Sequence, residues 1–174
     1  EDVGFLPDGE PQDLENIRHT RQESAIGFRE VLTLPNFWII VVTFALLFCS
    51  MSATLTHMIP RLEHLGYGLV FSAAVASLCA GAGFPGKLFF GWVSDKASIK
   101  VCMICVIAAQ FVGQLLMYLS ETTELFVVGA TIFGFGVGGV VPMQGAIVGR
   151  TFGRSSFGSV LGIMRPAMFP IQIL

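Results

Sequence analysis

The chain has 174 residues, 53% of them hydrophobic and 13% charged, with 16 Phe, 20 Gly and a mean hydropathy of +0.74. A soluble globular domain carries about 25% charge, so the composition excludes one, and beyond the first 34 residues it excludes disorder as well. The formal net charge is −2, from 10 Lys+Arg against 12 Asp+Glu, and without a clustered basic excess a nucleic-acid partner is excluded too.

Charge is divided unevenly. Glu1, Asp2, Asp8, Glu10, Asp13, Glu15, Glu23 and Glu30 all precede Pro35, which leaves four acids for the remaining 140 residues. Residues 1–34, with Pro7, Gly9 and Pro11, read as a polar linker. Near 25–34, Phe28, Val31 and Leu32 fall at helical spacing and predict a short amphipathic helix that lies in the membrane interface and leads the chain into the bilayer.

Crossing about 30 Å of hydrocarbon takes roughly 20 apolar residues in helical form, because every backbone group must be paired internally. Five segments answer to this: about 36–59, 66–93, 101–119, 125–149 and 157–174. The links between them are short, so neighbouring spans are expected to run antiparallel. Arg18, Arg21, Arg29, Lys96, Lys100, Arg150 and Arg154 fall on one side and Arg61 alone on the other, which predicts a cytoplasmic linker in a multi-pass protein of the plasma (inner) membrane. A first residue that is Glu and an apolar run still open at Leu174 make the chain read as a piece of a longer polypeptide.

Within the second and fifth spans stand Lys87 and Arg165. An intramembrane cation costs roughly 2.5 to 3.5 kcal/mol on insertion scales, so each needs a wet cavity or a partner, and none of the five spans holds an acid. Counting residues inward from Asp95 and from Ser156 puts both at a similar depth, roughly 10 to 14 Å from the cytoplasmic edge. Facing helices could then aim both at one small anion; Arg offers a planar fork for a carboxylate and Lys a movable point charge. The competing reading has Lys87 snorkelling to the headgroups and Arg165 paired with an acid on a helix outside this chain.

Other motifs have simpler readings. GFGVGG in the fourth span has the order of a dinucleotide fingerprint but lies inside an apolar helix, so Gly134 with Gly138, Gly145 with Gly149, and Gly158 with Gly162 are expected to permit close helix packing instead. Pro142, Pro166 and Pro170 are expected to kink their helices. Cys49, Cys79, Cys102 and Cys105 lie in apolar runs and read as buried packing groups; Cys102 and Cys105 have no further metal ligands near them in sequence. Gln110, Gln114, Gln144, Thr131 and Ser77 are hydrogen-bonding groups for a cavity or a neighbour. His57 is a candidate carrier of a coupling proton, since imidazole titrates near neutral pH, and its place beside Pro60 equally suits an interfacial cap.

The segment GKLFFGWVSDKASIK resembles the loop signature of the major facilitator superfamily, with Gly91, Asp95, Lys96 and Lys100 at the matching positions and Ala97 where a glycine is usual. Its spacing has a physical reason: Gly91 would remove a side chain where two helices approach, and Asp95 would receive a cation, with Arg150 and Arg154 as candidate partners, latching one conformation of a moving bundle. LPDG in the linker, FREVLTLPNFW, His57 with Pro60, and Gly86 with Lys87 are similar to the carboxylate-transporting branch of that family, the monocarboxylate and oxalate/formate type. In that branch Arg is usual where Lys87 stands, and the monocarboxylate type has an acid where this chain has Gly83.

The resemblance implies an all-α membrane protein: a partial major facilitator helical bundle made of the central loop and five helices of the C-terminal half. It implies secondary active transport of a small organic anion, a mono- or dicarboxylate, by alternating access, with Arg165 and Lys87 facing the cavity. The partners expected are that anion, a co-transported proton or counter-substrate, the bilayer, and the N-terminal half of the same polypeptide. No enzyme chemistry, cofactor or metal is expected. The alternatives are an exporter of a neutral or hydrophobic compound within the family and, outside it, a non-transporting membrane scaffold or receptor subunit.

Overall fold

Helix is the regular structure of the chain in a computed structural model that describes residues 28–173, and no strand occurs among those residues. The linker before residue 28, with Arg18 and Arg21, lies outside the described residues. A six-residue helix, α1 (Phe28–Thr33), precedes α2 (Pro35–His64), α3 (Leu69–Lys96), α4 (Ile99–Leu119) and α5 (Thr123–Ile173).

Pro35 sits at the first position of α2, where its fixed φ suits a helix and its missing N–H is no loss. The indole Nε1 of Trp38 reaches back to donate to the Leu32 carbonyl at 2.9 Å and ties α1 to α2. Val31 is fully buried in a cluster with Phe37 and Phe152. α1 therefore docks on the bundle through Val31, the apolar face that its amphipathic spacing predicts.

α2 stops at Gly66, whose φ of 89° lets its amide reach the Glu63 carbonyl at 2.9 Å while Tyr67 N–H reaches that of Leu62 at 3.1 Å. Between α3 and α4 only Ala97 and Ser98 are left out of helix. α5 is interrupted at Gly153, where φ 77° and ψ 168° belong to a region open essentially to glycine alone. The expected bends at Pro142, Pro166 and Pro170 do not coincide with it: all three prolines lie within helical backbone, and Gly153 is the non-helical residue of α5.

Four helices are long and apolar enough to cross a membrane: Pro35–His64, Leu69–Lys96, Ile99–Leu119 and Thr123–Gly153. The second arm of α5, residues 154–173, is helical but not among them; Arg165, Gln172, Pro166 and Pro170 dilute its hydropathy. The first arm is the axis of the bundle. Half of its apolar window is buried, against 22% for α2 and α3 and 28% for α4, and α3 and α4 both pack chiefly on α5 while scarcely touching each other. Large apolar side chains such as Val70, Phe111 and Leu119 point outward, as expected where lipid is the solvent. Cys79 and Cys102 are buried, Cys49 is half-buried and Cys105 is exposed, so the expected burial of the cysteines fails at Cys105, which faces outward from α4.

Candidate functional site

The closest helix contact in the bundle lies where α3 crosses the first arm of α5. A Cβ on Gly134 would fall on the Cys79 carbonyl, one on Gly138 on the Gly83 carbonyl, and one on Gly86 on the Phe135 carbonyl, so the two backbones meet with no side chain between them. A Cβ on Gly138 would also stand 2.9 Å from the Lys87 amide nitrogen, so the backbone of Lys87 is seated directly on α5. The expected Gly134/Gly138 pair is thus a packing contact. The other two pairs are not: a Cβ on Gly145, Gly158 or Gly162 would meet nothing within 4 Å, and one on Gly149 only the Phe157 ring at 3.8 Å.

Beside this crossing lies a cavity of about 380 Å³ between α2, α3 and the first arm of α5, lined by Phe48, Met51, Leu55, Phe84, Val141 and Lys87 among others. Among the described residues its wall is apolar apart from Lys87, and no Asp or Glu lines it. Arg165, from the second arm, places its guanidinium carbon 6.0 Å from the centre of the Phe48 ring. Phe48 thus belongs both to the lining of the Lys87 cavity and to the surroundings of Arg165, and both cationic side chains are exposed among the described residues. Sequence reasoning missed Phe48: its place one helical turn after Phe44 in an uncharged apolar run does not single it out among 16 Phe.

His57 lines a different cavity, of about 270 Å³, with Thr54, Arg61, Gln114 and Tyr118. Arg61 Nη2 donates to the Tyr118 carbonyl at 3.2 Å and to that of Met117 at 3.5 Å, placing a cation on the C-terminal end of α4 where the helix dipole is negative. Gln114 uses its Nε2 to donate to Ser50 Oγ at 2.7 Å and to Thr54 Oγ1 at 2.6 Å, so one carboxamide bridges α4 to α2. The remaining polar candidates turn to the protein. Thr131 and Ser77 donate to carbonyls one turn back, Gln144 Nε2 lies 3.7 Å from Met164 Sδ, and Gln110 is buried with neither side-chain atom paired.

At the opposite end, the signature loop is arranged differently from its expectation. Arg150 donates from Nη2 to the Ser94 carbonyl at 2.8 Å rather than to the Asp95 carboxylate, and Asp95 is exposed. A cation thereby caps the last turn of α3, which the dipole favours as much as an ion pair would. The side chain of Arg154 lies outside what the structure describes. Lys96 folds over the Trp92 ring at 4.2 Å, and Lys100 lines a crevice between α2 and α4. Nothing lies within 4 Å of a Cβ built on Gly91, so among the described residues it is not a close-approach glycine; that role belongs to Gly86, five residues earlier.

Residues 3–171 match the family described as Major Facilitator Superfamily. Among curated proteins, Monocarboxylate transporter 12 of Xenopus laevis is 28% identical over 137 residues, which cover 76% of this chain and 30% of that protein. Monocarboxylate transporter 12-B of Danio rerio is 23% identical over the same share of this chain, and Monocarboxylate transporter 12 of Mus musculus 22%. The chain thus spans less than a third of the length of the relatives it matches. No solved structure matches it. Together with four helices able to cross a bilayer, the match makes this an integral multi-pass membrane protein with the architecture of a partial bundle of that family.

Proposed function

We infer that this chain, which belongs to the Major Facilitator Superfamily, forms one wall of a carrier that moves a small organic anion across the membrane by alternating access. The observation that supports the reading is Phe48, which lines the cavity of Lys87, with no acid among the described lining residues, and whose ring centre stands 6.0 Å from the guanidinium carbon of Arg165. A carboxylate about 4 Å from one such cation gains roughly 4 kcal/mol at an effective dielectric of 20, comparable to the cost of holding that cation in the membrane. Arg165 would take the carboxylate through its planar fork, with Lys87 as the second charge. The apolar remainder of the wall suits an anion with a hydrocarbon body and few hydroxyls.

The likeness to three monocarboxylate transporters supports a carboxylate over other anions. Residues 1–34 and the loop around Asp95 would face the cytoplasm of a plasma (inner) membrane, and the N-terminal half would supply the opposite cavity wall. Coupling would run through a proton or a counter-substrate; His57, in the cavity away from Lys87, is the candidate for the first. The Asp95 loop and Arg150 would brace the cytoplasmic ends of α3 and α5 in one state of the cycle.

Replacing Arg165 and Lys87 by Gln in the full-length protein tests the reading. Uptake of a radiolabelled monocarboxylate is expected to fall more than about tenfold with each, at unchanged surface expression. Unchanged uptake in both variants would overturn it and favour a neutral substrate, which the apolar wall of the same cavity could also accept.

A further inference from the structure

Arg165, which the residue count from Ser156 puts roughly 10 to 14 Å inside the cytoplasmic edge, has a long, flexible side chain whose default course there would be to snorkel toward the headgroups. In this structure the guanidinium stands over the ring of Phe48, with its central carbon 6.0 Å from the ring centre. That is at the outer limit of the range in which the negative face of an aromatic ring attracts a cation, and the attraction strengthens where water is excluded. Phe48 is half-buried, packed at the margin of the core cluster that contains Phe44 and Val41, so its ring is held from behind. The same ring forms part of the wall of the Lys87 cavity.

The geometry points to Phe48 as a positioning residue: its ring, part of the wall of the cavity that Lys87 lines, holds the guanidinium of Arg165 beside that wall, and so sets the affinity for the anion. This rests on the anion-binding reading above. An apolar side chain of similar size would fill the same space and keep the cavity shape, but it would have no negative face and would release the arginine toward the headgroups. The property at issue is therefore the ring's charge distribution and not its bulk.

The experiment compares Phe48→Leu, Phe48→Tyr and Phe48→Trp in the full-length protein, measuring initial rates of monocarboxylate uptake against concentration. Phe48→Leu should raise KM about five- to tenfold with the maximal rate within twofold of the parent, and at least one of the aromatic variants should return KM to within about twofold. A KM unchanged by Leu, or raised as much by Tyr and Trp as by Leu, overturns the inference. If Phe48→Leu fails to reach the membrane, Phe48→Met is measured in its place against the same thresholds.

Arg165→Gln and Lys87→Gln in the same assay separate the two levels of the argument. If they depress uptake while Phe48→Leu does not raise KM, only the role of Phe48 falls. If neither depresses uptake, the anion reading falls and the inference about Phe48 falls with it.

Discussion

The two arms of α5 are written in the same residues and do different things. Gly134 and Gly138 in the first arm are spaced as Gly158 and Gly162 are in the second. The first pair lets α3 approach until carbonyls occupy the space a methyl group would need, whereas the second pair faces open space among the described residues. Small residues four apart thus give a helix a flat strip along which another backbone could lie close, and they do not say whether one does. What separates the arms is burial: the first is the axis on which α3 and α4 pack, while the second carries Arg165 at an exposed position.

That contrast can be broken most severely at Gly138. Gly138→Ala would push a methyl group onto the Gly83 carbonyl and the Lys87 amide, neither of which is a flexible side-chain end. We expect a loss of about 3 kcal/mol or more, read as failure to purify as a monodisperse species or as a large drop in the thermal midpoint in detergent. Gly134→Ala, against the Cys79 carbonyl, should behave alike. Full stability for both variants would mean that α3 and α5 are held apart in the whole protein.

A smaller effect is expected at the polar bridge between α2 and α4. Gln114→Leu removes the donor to Ser50 and Thr54 and should cost about 1 kcal/mol, the order of magnitude of a hydrogen bond between membrane helices. A shifted thermal midpoint with unchanged substrate affinity is the expected pattern. Arg150→Gln, which loses the contact to the Ser94 carbonyl, should cost roughly 1 kcal/mol at the other end of the bundle.

The smallest effect sharpens the comparison from its other side. Gly162→Ala should leave stability within about 1 kcal/mol, with a gain the expected direction because alanine is the better helix former. A loss as large as that of Gly138→Ala would show that a segment outside the described residues covers this arm closely.

Much of the fold could be read from local chemistry. Lipid sets the length of a span, so apolar runs without acids mark the helices. Pro35 marks the start of one, whereas its end was not legible: the apolar pattern stops near residue 59 and resumes at 66, while the helix runs on to His64 and turns at Gly66. The site was legible only by halves. Lys87 and Arg165 stand out because a charge in an apolar run is costly, but Phe48 is one Phe among 16 and nothing local distinguishes it. Its role depends on which face of α2 meets the second arm of α5, a relation between residues more than a hundred positions apart. The loop signature pointed to the right family, but the partner of Arg150 was not legible in it: Asp95 and Arg150 carry opposite charges on the same side, yet the arginine reaches a backbone carbonyl, an acceptor that every residue owns and no motif can display.

The break at Gly153 fixes more than a change of direction. Because helix runs up to that residue and resumes after it, the turn has no slack in which an error of spacing could be absorbed. Arg165 stands twelve residues past it, and one residue inserted anywhere between would swing the guanidinium by about 100° around the helix and carry it about 1.5 Å along. The angular aim of the charge that meets Phe48 is thus counted out residue by residue from a single pivot.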